Sequence, residues 1–249
     1  MTTELRQFFQ KHPKVALAFS GGSDSGYLLH TAVTCGAKVQ PYYAKSAFQP
    51  YAELYDAEAF ARALGLTLRV CQVDILRAPH VAFNPPDRCY WCKRALFSAI
   101  VRQASADGYL TVIDGTNASD SVDERPGIRA LRELEILSPL RLAGISKDEI
   151  RILSRAAGLK TWNKPPHRCL TTHVVPGEQL TEQLLMAVTN SERSLEALGF
   201  QYFRLRCSSS GITIRVSPSQ LELVLQKREQ LLQALQQYFK TVTLDLEVC

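Results

Sequence analysis

The stretch from Val15 to Leu29, VALAFSGGSDSGYLL, restricts the fold more than any other part of the sequence. Its apolar run VALAF (15–19) predicts a short buried strand, and the spacing of apolar residues from Ser25 to Val33 predicts a helix. Small residues and one aspartate lie between the two. A strand that passes into a helix through so short a loop is the repeating step of an open α/β sheet.

The alternation of strands and helices continues along the first two thirds of the chain. Further strands are predicted at 39–44, 68–73 and 110–115, and helices at 51–65, after Cys92, and from the capping-box sequence SKDE (146–149) to about Gly158. Strands separated by helices pair in parallel and have helices on both faces. The sequence therefore predicts an α/β fold with a doubly wound parallel sheet.

After Cys169 the pattern becomes that of a smaller α+β domain. The elements predicted there are a helix (181–199), two strands (202–207 and 212–216), a long helix (218–239) and a last strand (241–248). The leucines of the long helix have the spacing of core or subunit-interface residues. Proline and glycine within 174–179 mark a boundary, so domains are predicted at 1–173 and 174–249.

Composition and charge place the chain among folded proteins and leave its partner open. Hydrophobic residues make up 46% of the 249 residues and charged residues 21%, which excludes a disordered chain. The N-terminal residues lack the apolar core of a signal peptide, and no apolar run approaches the ~20 residues that span a bilayer. We therefore expect a soluble, cytoplasmic protein without a membrane partner. The net charge of +5 fits an anionic small ligand or RNA.

The loop 20–25 has the composition of a phosphate-binding site. Its glycines and serines let backbone N–H groups approach an anion closely, and the N-terminus of the following helix adds partial positive charge. The alternative is a tight turn whose small residues only allow the strand and helix to pack. The loop lacks the lysine of a Walker A sequence, so that class of phosphate loop is excluded.

The order S-G-G-x-D-S, carried by Ser20, Gly21, Gly22, Asp24 and Ser25, resembles the loop of the PP-loop ATP pyrophosphatases. The resemblance implies that these residues bind ATP through its β- and γ-phosphates. A substrate oxygen then attacks the α-phosphate, pyrophosphate leaves, and an adenylate forms. Mg²⁺ is expected on the phosphates because it neutralises the charge of the leaving pyrophosphate, and Asp24 is a candidate ligand for it.

A second polar stretch, DGTNASD (114–120), also follows a predicted strand. Taken alone it is equally compatible with a polar turn that caps a helix. Because the carboxyl ends of parallel strands meet at one edge of a sheet, we expect it to lie beside the loop 20–25 and to line a nucleotide cleft.

Seven cysteines, an odd number, argue against a disulfide framework and for reduced thiols, metal ligands or catalysis. Four of them lie singly in or beside apolar segments and are expected to be small buried side chains: Cys35, Cys71, Cys207 and Cys249. Cys89 and Cys92 form a C-x-x-C pair, and Cys169 stands apart. The pair is compatible with iron–sulfur ligation, with a redox pair, or with half a zinc site completed by His167 and His173.

Five segments together resemble the LarE-type ATP-dependent sulfur transferases, and the likeness covers most of the chain. They are RCYWCKRALF (88–97), DGTNASD (114–120), ERPGIRALRELEILSPL (124–140), GISKDEIRILSRAAGLKTWNKP (144–165) and RCLTTHVVPGEQLT (168–181). The resemblance implies a PP-loop domain of adenine nucleotide alpha hydrolase-like fold, a smaller C-terminal domain for substrate binding or oligomerisation, and a homo-oligomer. It also implies that carboxylates of pyridinium-3,5-biscarboxylic acid mononucleotide become thiocarboxylates, on the way to the nickel-pincer cofactor of lactate racemase.

The resemblance assigns the sulfur chemistry to Cys169, in one of two ways. In one branch of the family this cysteine forms a thioester and loses its sulfur by elimination, which leaves dehydroalanine. In the other branch, three cysteines hold a 4Fe-4S cluster whose open iron binds the sulfide to be delivered. Because Cys89 and Cys92 lie one helical turn apart, we favour them with Cys169 as cluster ligands. The sequence does not indicate which molecule donates the sulfide.

The implied substrate carries two carboxylates and a phosphate, so cations must bind it. Arg204 and Arg206 are two residues apart on a predicted strand, hence on one face, and guanidinium groups bind such anions through paired hydrogen bonds. A solvated strand face is the alternative. The resemblance favours substrate binding by both arginines, with Glu192 orienting them and Trp91 stacking on the pyridinium or adenine ring. Arg215 is expected to be a bystander.

Two positions depart from the family pattern: His173 stands where a small or basic residue is expected, and SVDE (121–124) is atypical. A tRNA thiolase is a competing hypothesis, since such enzymes combine the same loop with C-x-x-C chemistry. The sequence has no dense basic patch interleaved with aromatic residues, which argues against nucleic acid as a partner. A protein that only senses ATP is the third hypothesis.

Overall fold

The computed structural model describes residues 2–120, 126–164 and 169–247. The chain divides into a first unit, Met1–Ile75 with Asp87–His167, and a second unit, Leu76–Pro86 with Arg168–Cys249. No helix within the described ranges is both long and apolar enough to cross a membrane.

The segment 76–86 belongs to the second unit because a buried side chain ties it to a later part of the chain. Asn84 is 3% exposed, and its Nδ2 donates to the carbonyl oxygens of Val174 and Val175, each at 3.0 Å. The predicted domain limits place this segment in the N-terminal domain. The second unit is thus built from two segments that are distant in sequence. A local boundary signal in the sequence does not reveal that the earlier segment belongs to it.

The first unit follows the predicted alternation of strands and helices. In chain order its elements are α1 (Thr3–Lys11), β1 (Lys14–Ala18), α2 (Ser23–Thr34), β2 (Lys38–Lys45), α3 (Tyr51–Ala63), β3 (Arg69–Gln72), then, after α4 (Pro79–Ala82) of the second unit, α5 (Arg88–Ala106), β4 (Val112–Asp114), α6 (Pro126–Glu133), α7 (Pro139–Leu142) and α8 (Lys147–Ala156). A 3₁₀ helix, Lys160–Asn163, follows α8.

The strands of the first unit that the structure describes form a parallel sheet in the order β3-β2-β1-β4. On β1, Val15 and Leu17 pack into a core with α2, α3 and α8, whereas Ala16 packs with α5 and α6 on the other face. Helices therefore cover both faces, which confirms the doubly wound α/β fold. Because Ala18 pairs with Asp114, β1 and β4 end side by side, and their loops leave the same edge of the sheet.

The capping box predicted at the start of α8 is confirmed. The hydroxyl of Ser146 accepts the N–H of Glu149 at 3.3 Å, and the carboxylate of Glu149 accepts the N–H of Ser146 at 2.8 Å. The hydroxyl and then the backbone N–H of Ser146 lower the pKa of Glu149. This reciprocal cap fixes where α8 begins.

The second unit is a small α+β structure. Beside α4 and a 3₁₀ helix, Leu170–His173, it contains α9 (Glu182–Ala197), β5 (Arg204–Cys207), β6 (Gly211–Arg215), a 3₁₀ helix (Pro218–Gln220), α10 (Leu221–Gln226), α11 (Arg228–Leu235) and β7 (Thr241–Leu244). Among the described residues these strands pair in the order β5-β6-β7, with β5 antiparallel and β7 parallel to β6. Leu205 and Cys207 are buried, while Arg204 and Arg206 are exposed on the opposite face.

The single helix predicted over 218–239 is wrong. Lys227 has φ −100° and ψ 12°, so it ends α10 and begins α11 instead of continuing one helix. Leu231 and Leu235 of α11 are buried, whereas Leu225 of α10 is 73% exposed. The leucine spacing therefore identified the buried face of the second segment but not the break between the two.

Candidate functional site

The loop after β1 places bare backbone at the N-terminus of α2. Gly21 has a φ of +74°, a left-handed conformation that glycine adopts without strain. A Cβ at this position would also lie 3.0 Å from the Cβ of Ala57 on α3. Gly22 caps α2 in an extended conformation without a side-chain hydrogen bond. No side-chain cap therefore occupies the N-terminus of α2, whose first N–H groups are the kind that bind anions.

The serines of this loop bind each other and the backbone. The hydroxyl oxygens of Ser20 and Ser25 lie 3.0 Å apart, and the hydroxyl of Ser25 accepts the N–H of Ser20 at 3.3 Å. The hydroxyl of Ser20 accepts the N–H of Gly22, also at 3.3 Å. These contacts hold the loop in a closed turn, which is the geometry that both the phosphate-site and the packing interpretation require.

The polar loop 114–120 lies against the start of α2, next to the loop that follows β1. A Cβ on Gly115 would stand 2.8 Å from the backbone nitrogen of Ser25, so the two backbones approach as closely as a glycine allows. Asp114 is 5% exposed, and its carboxylate accepts the hydroxyl of Ser138 at 2.6 Å. The expected neighbourhood of the two loops is therefore present within the first unit.

Asp24 lies at the centre of a polar network between these loops. Its carboxylate accepts hydrogen bonds from Nζ of Lys147 at 3.0 and 3.2 Å, from Nδ2 of Asn117 at 2.9 Å and from the hydroxyl of Ser23 at 2.7 Å. Asn117 is 1% exposed. Asp24, the predicted Mg²⁺ ligand, is thus paired with Lys147, a residue that the sequence analysis did not identify as part of the site.

Two further lysines lie at this edge of the sheet. Nζ of Lys164 is 2.7 Å from a carboxylate oxygen of Asp56 and 3.5 Å from the carbonyl oxygen of Gly21. Lys45, at the end of β2, is 5% exposed and donates to the carbonyl oxygen of Ser46 at 2.6 Å; burial lowers its pKa. The loop after β1 carries no lysine of its own, so these cations come from other segments of the first unit.

The C-x-x-C pair lies near the N-terminus of α5, and residues three apart are neighbours on a helix surface. Cys89 is exposed and Cys92 half-buried, and the guanidinium of Arg88 donates to the sulfur of Cys89 at 3.3 Å. Cys169 belongs to the second unit, and His167 lies outside the described residues. In the part of the chain that is described, no three His, Cys, Asp or Glu side chains form a metal-binding group, so cluster and zinc ligation remain predictions.

Trp91, between the two cysteines, is held by its neighbours on α5. Its Nε1 donates to the carboxylate of Asp87 at 2.8 Å, and its ring packs edge-on against Tyr90 with 4.9 Å between centroids. The guanidinium of Arg94 lies 5.8 Å from the indole centroid. The predicted stacking on a ligand ring stays a prediction.

Cys169 stands at the start of the 3₁₀ helix Leu170–His173. Its sulfur lies 3.0 Å from the hydroxyl oxygen of Thr171, which is fully buried, and its carbonyl oxygen accepts the hydroxyl of Thr172 at 2.7 Å. The thiol is therefore set in a short, hydrogen-bonded turn.

Arg204 and Arg206 share the exposed face of β5, as predicted, and line a cavity of about 380 Å³ within the second unit. The other residues that line it are Thr172, His173, Leu205, Thr213, Arg215 and Asp245. The strand register places Arg204 opposite Arg215 and Arg206 opposite Thr213. The cavity is positively charged on this face and has hydroxyl groups beside the arginines, a composition suited to an anionic ligand.

Arg215, expected to be a bystander, lines the same cavity. Its guanidinium contacts the carboxylate of Asp245 through Nε at 3.0 Å and that of Glu247 through Nη2 at 2.9 Å. The hydrogen bond from Arg215, followed by that from the backbone N–H of Glu247, lowers the pKa of Asp245. The sequence alone does not predict that Arg215 lines this cavity, because the strand register, rather than local spacing, places it opposite Arg204.

Glu192 contacts a different partner from the one expected. Its carboxylate lies 3.0 Å from Nε2 of His173, which is 4% exposed. The predicted orientation of the two arginines by Glu192 stays a prediction. Nearby, burial and then the charge of Glu192 raise the pKa of Cys207 to about 12. The histidine that departs from the family pattern thus packs with an acidic residue at the wall of the cavity.

Relatives of the chain resemble it over nearly its full length. No protein-family model matches the sequence. An uncharacterised protein of Synechocystis sp. is 36% identical over 98% of this chain and 92% of its own length. The pyridinium-3,5-bisthiocarboxylic acid mononucleotide synthase of Lactiplantibacillus plantarum is 30% identical over 94% of this chain and 86% of its own length. An uncharacterised protein of Methanocaldococcus jannaschii is 27% identical over 96% and 91%, respectively.

Proposed function

The chain belongs to the LarE-type family of the pyridinium-3,5-bisthiocarboxylic acid mononucleotide synthase, and on this premise we propose that it transfers sulfur to a pyridinium mononucleotide. In the proposed reaction ATP adenylates carboxylates of pyridinium-3,5-biscarboxylic acid mononucleotide, and sulfur converts them to thiocarboxylates. The product serves the biosynthesis of the nickel-pincer cofactor and the maturation of lactate racemase or another enzyme that uses it.

The activation step belongs to the first unit. Small residues in the loop 20–25 and the N-terminus of α2 suit the β- and γ-phosphates of ATP, because backbone N–H groups can approach them. A carboxylate oxygen of the substrate attacks the α-phosphorus, and pyrophosphate leaves. The carboxylate of Asp24 is the candidate ligand for Mg²⁺, which when bound there in place of the Lys147 ammonium would neutralise charge on the pyrophosphate.

The arginine-lined cavity of the second unit suits the acidic substrate. Arg204 and Arg206 are exposed on one face of β5, and each guanidinium offers a planar pair of donors to a phosphate or carboxylate. Thr172 and His173 line the same cavity and follow Cys169 closely in the chain. Cys169 and the anion-binding face are therefore parts of one unit.

Sulfur transfer follows activation, since adenylation gives the carboxyl carbon a leaving group. A sulfur nucleophile attacks that carbon and AMP departs. We favour a 4Fe-4S cluster held by Cys89, Cys92 and Cys169, which when bound would supply the sulfide at its open iron. The paired thiols on α5 fit this donor set. The alternative is the same reaction with Cys169 as a sacrificial donor, whose own sulfur enters the product.

The observation that best supports the activation step is the contact between the two loops at the carboxyl edge of the sheet, where Gly115 meets Ser25. The test is to incubate the purified chain with Mg²⁺, ATP and the dicarboxylated mononucleotide. We expect AMP and pyrophosphate that depend on the mononucleotide, and thiocarboxylate by mass spectrometry. Failure to split ATP with this substrate, or release of pyrophosphate with tRNA instead, would overturn the proposal.

The source of sulfur has its own test. Protein purified without oxygen is assayed for iron and labile sulfide, and its visible spectrum is recorded. We expect iron, sulfide and a coloured protein, all of which are lost when Cys89, Cys92 or Cys169 is replaced by alanine. A colourless protein whose residue 169 becomes dehydroalanine after turnover would establish the sacrificial alternative.

A further inference from the structure

We propose that Asp245 binds the ribose hydroxyls of the pyridinium mononucleotide and so makes the cavity of the second unit selective for a nucleotide. This inference rests on the substrate of the proposed function and adds a specificity-determining residue for it. Asp245 directly follows β7 and lines the cavity together with Arg204, Arg206 and Arg215. A carboxylate in a cavity for an acidic ligand repels that ligand's charged groups, so it suits a neutral part of the ligand instead.

The strand register arranges the open face of this sheet in two rows. Residues opposite each other on paired strands point to the same face. Arg204 is opposite Arg215, and the pairing of Ile214 with Leu244 places Arg215 beside Asp245, so these three form one row. The second row contains Arg206, Thr213 and Thr243. From β5 to β7, positive charge therefore gives way to hydroxyl groups and a carboxylate.

The carboxylate of Asp245 is held in place and keeps room for another hydrogen bond. Nε of Arg215 donates to Oδ2 at 3.0 Å, and the backbone N–H of Glu247 donates to Oδ1 at 3.0 Å. Within the described ranges Oδ1 accepts that one hydrogen bond, whereas a carboxylate oxygen can accept two. The side chain is 23% exposed, so part of it is accessible to a ligand.

The mononucleotide has the groups that such a face can sort. Its phosphate and carboxylates bind the guanidiniums of Arg204 and Arg206, while its ribose hydroxyls donate to a carboxylate. An acidic residue binds a ribose hydroxyl in the same way in dinucleotide-binding folds. Because neighbouring strands are about 4.8 Å apart, the row that ends at Asp245 is about 10 Å wide, which allows a ribose and its phosphate to lie along it. The charge asymmetry would therefore orient the ligand.

The test compares two ligands by calorimetry without ATP: the dicarboxylated mononucleotide and its analogue whose ribose lacks both hydroxyls. We expect wild type to bind the mononucleotide about tenfold or more tightly than the analogue, since hydrogen bonds to charged groups are strong. Asp245→Ala should reduce this ratio to about one, and Asp245→Asn, which keeps a weaker acceptor, should give a value between the two. Both ligands carry the same anionic groups, so the ratio does not respond to the changed charge of the cavity.

Glu247→Ala is the matched control. The carboxylate of Glu247 also contacts Arg215, at 2.9 Å, but its side chain is 80% exposed, and alanine keeps the backbone N–H that donates to Asp245. This variant removes the same charge and should leave the ratio unchanged. Arg204→Gln should weaken the binding of both ligands equally and also leave the ratio unchanged. Thermal unfolding of each variant checks that it is folded.

Equal binding of the two ligands by wild type, or an unchanged ratio in Asp245→Ala, would overturn the inference and leave Asp245 as a structural partner of Arg215. A ribose preference that depends on Asp245, in a chain that forms no pyrophosphate with ATP and the mononucleotide, would instead refute the proposed reaction and leave the inference standing. A wild-type chain that binds neither ligand would refute both.

Discussion

The two candidate sites are built differently, each within its own unit. At the start of α2 the polar side chains bind one another, with Asp24 held by Lys147 and Asn117. On the sheet of the second unit, Arg204 and Arg206 are exposed beside a cavity. A network of internal contacts suits a ligand bound chiefly through backbone N–H groups, whereas exposed guanidiniums suit an acid that enters and leaves.

This difference has consequences for substitution. Groups in one network couple energetically, so a change at one member disturbs its neighbours, while well-separated groups act almost independently. We therefore expect substitutions near α2 to affect both folding and nucleotide binding. Substitutions of the exposed arginines should lower the affinity for the acidic substrate and leave ATP affinity unchanged.

Of all substitutions, Cys169→Ala should distinguish most clearly between the activities assigned to the two units. Loss of the thiol should reduce thiocarboxylate formation by about 1,000-fold or more, because no other group replaces an essential nucleophile or ligand. Substrate-dependent pyrophosphate release in the first turnover should persist, since the loop after β1 is untouched. Both products are measured in one assay, with Cys35→Ala as the control thiol. Parallel loss of the two activities would show that the sites do not act separately.

Gly115→Ala should break the network of the first unit. Its Cβ would stand 2.8 Å from the nitrogen of Ser25, so the two loops must separate. We expect ATP affinity to fall by about 100-fold and the free energy of unfolding to drop by about 1–3 kcal/mol. Calorimetry measures the ATP affinity, and denaturant unfolding measures the free energy of unfolding.

The matched control for that variant is Gly36→Ala. Gly36 has a φ of +73°, and no neighbouring atom lies within 4 Å of the position that a Cβ would take, so alanine there costs backbone strain without a clash. It should lose about 1–2 kcal/mol of stability and keep its ATP affinity. Equal ATP affinities of the Gly115 variant and wild type would contradict the close packing of the loops.

The exposed arginines offer the complementary test. Arg204→Gln and Arg206→Gln should each raise the KM for the mononucleotide by about tenfold, the loss of one charged hydrogen-bonding group, with ATP affinity unchanged. Arg228→Gln, an exposed arginine on α11, is the control for charge. A loss of ATP binding in either cavity variant, or an unchanged KM, would contradict the assignment of these arginines to the acidic substrate.

The smallest effect concerns acid stability of the second unit. Arg215 and the N–H of Glu247 lower the pKa of Asp245 in the folded protein. The ionised carboxylate therefore stabilises the fold above its ordinary pKa of ~3.9. This stability is lost as the pH falls through the lower pKa of the folded state. Asp245→Asn should flatten the decline of Tm in acid and leave ATP affinity unchanged. If Asp245→Asn and wild type have the same Tm at every pH from about 3 to 7, the pair of Arg215 and Asp245 adds no stability.

Local signals in the sequence were sufficient for the part of the fold that surrounds the first loop. An apolar run, small residues and a helical pattern over residues 15–33 gave β1, the loop and α2, and S-x-x-E spacing gave the cap of α8. Each signal spans only a few residues, so no knowledge of tertiary contacts was needed. The helix break at Lys227 lay beyond such reasoning, because the leucine spacing runs through it without interruption.

The residues that the sequence failed to reveal are those brought in over long distances. Lys147 meets Asp24 across 123 residues, and Lys164 meets the carbonyl oxygen of Gly21 across 143. Arg215 joins Arg204 through the strand register. A lysine on a helix surface looks like any solvated charge until the sheet topology is known, so only the three-dimensional contacts distinguish these cations from their neighbours.

The approach of Gly115 to Ser25 bears on how such a protein can change over generations or in a directed-evolution experiment. Because a side chain at position 115 would meet backbone atoms of Ser25, no side-chain change in the other loop can make room for it. A library that varies both loops should therefore keep glycine at this position among its functional members.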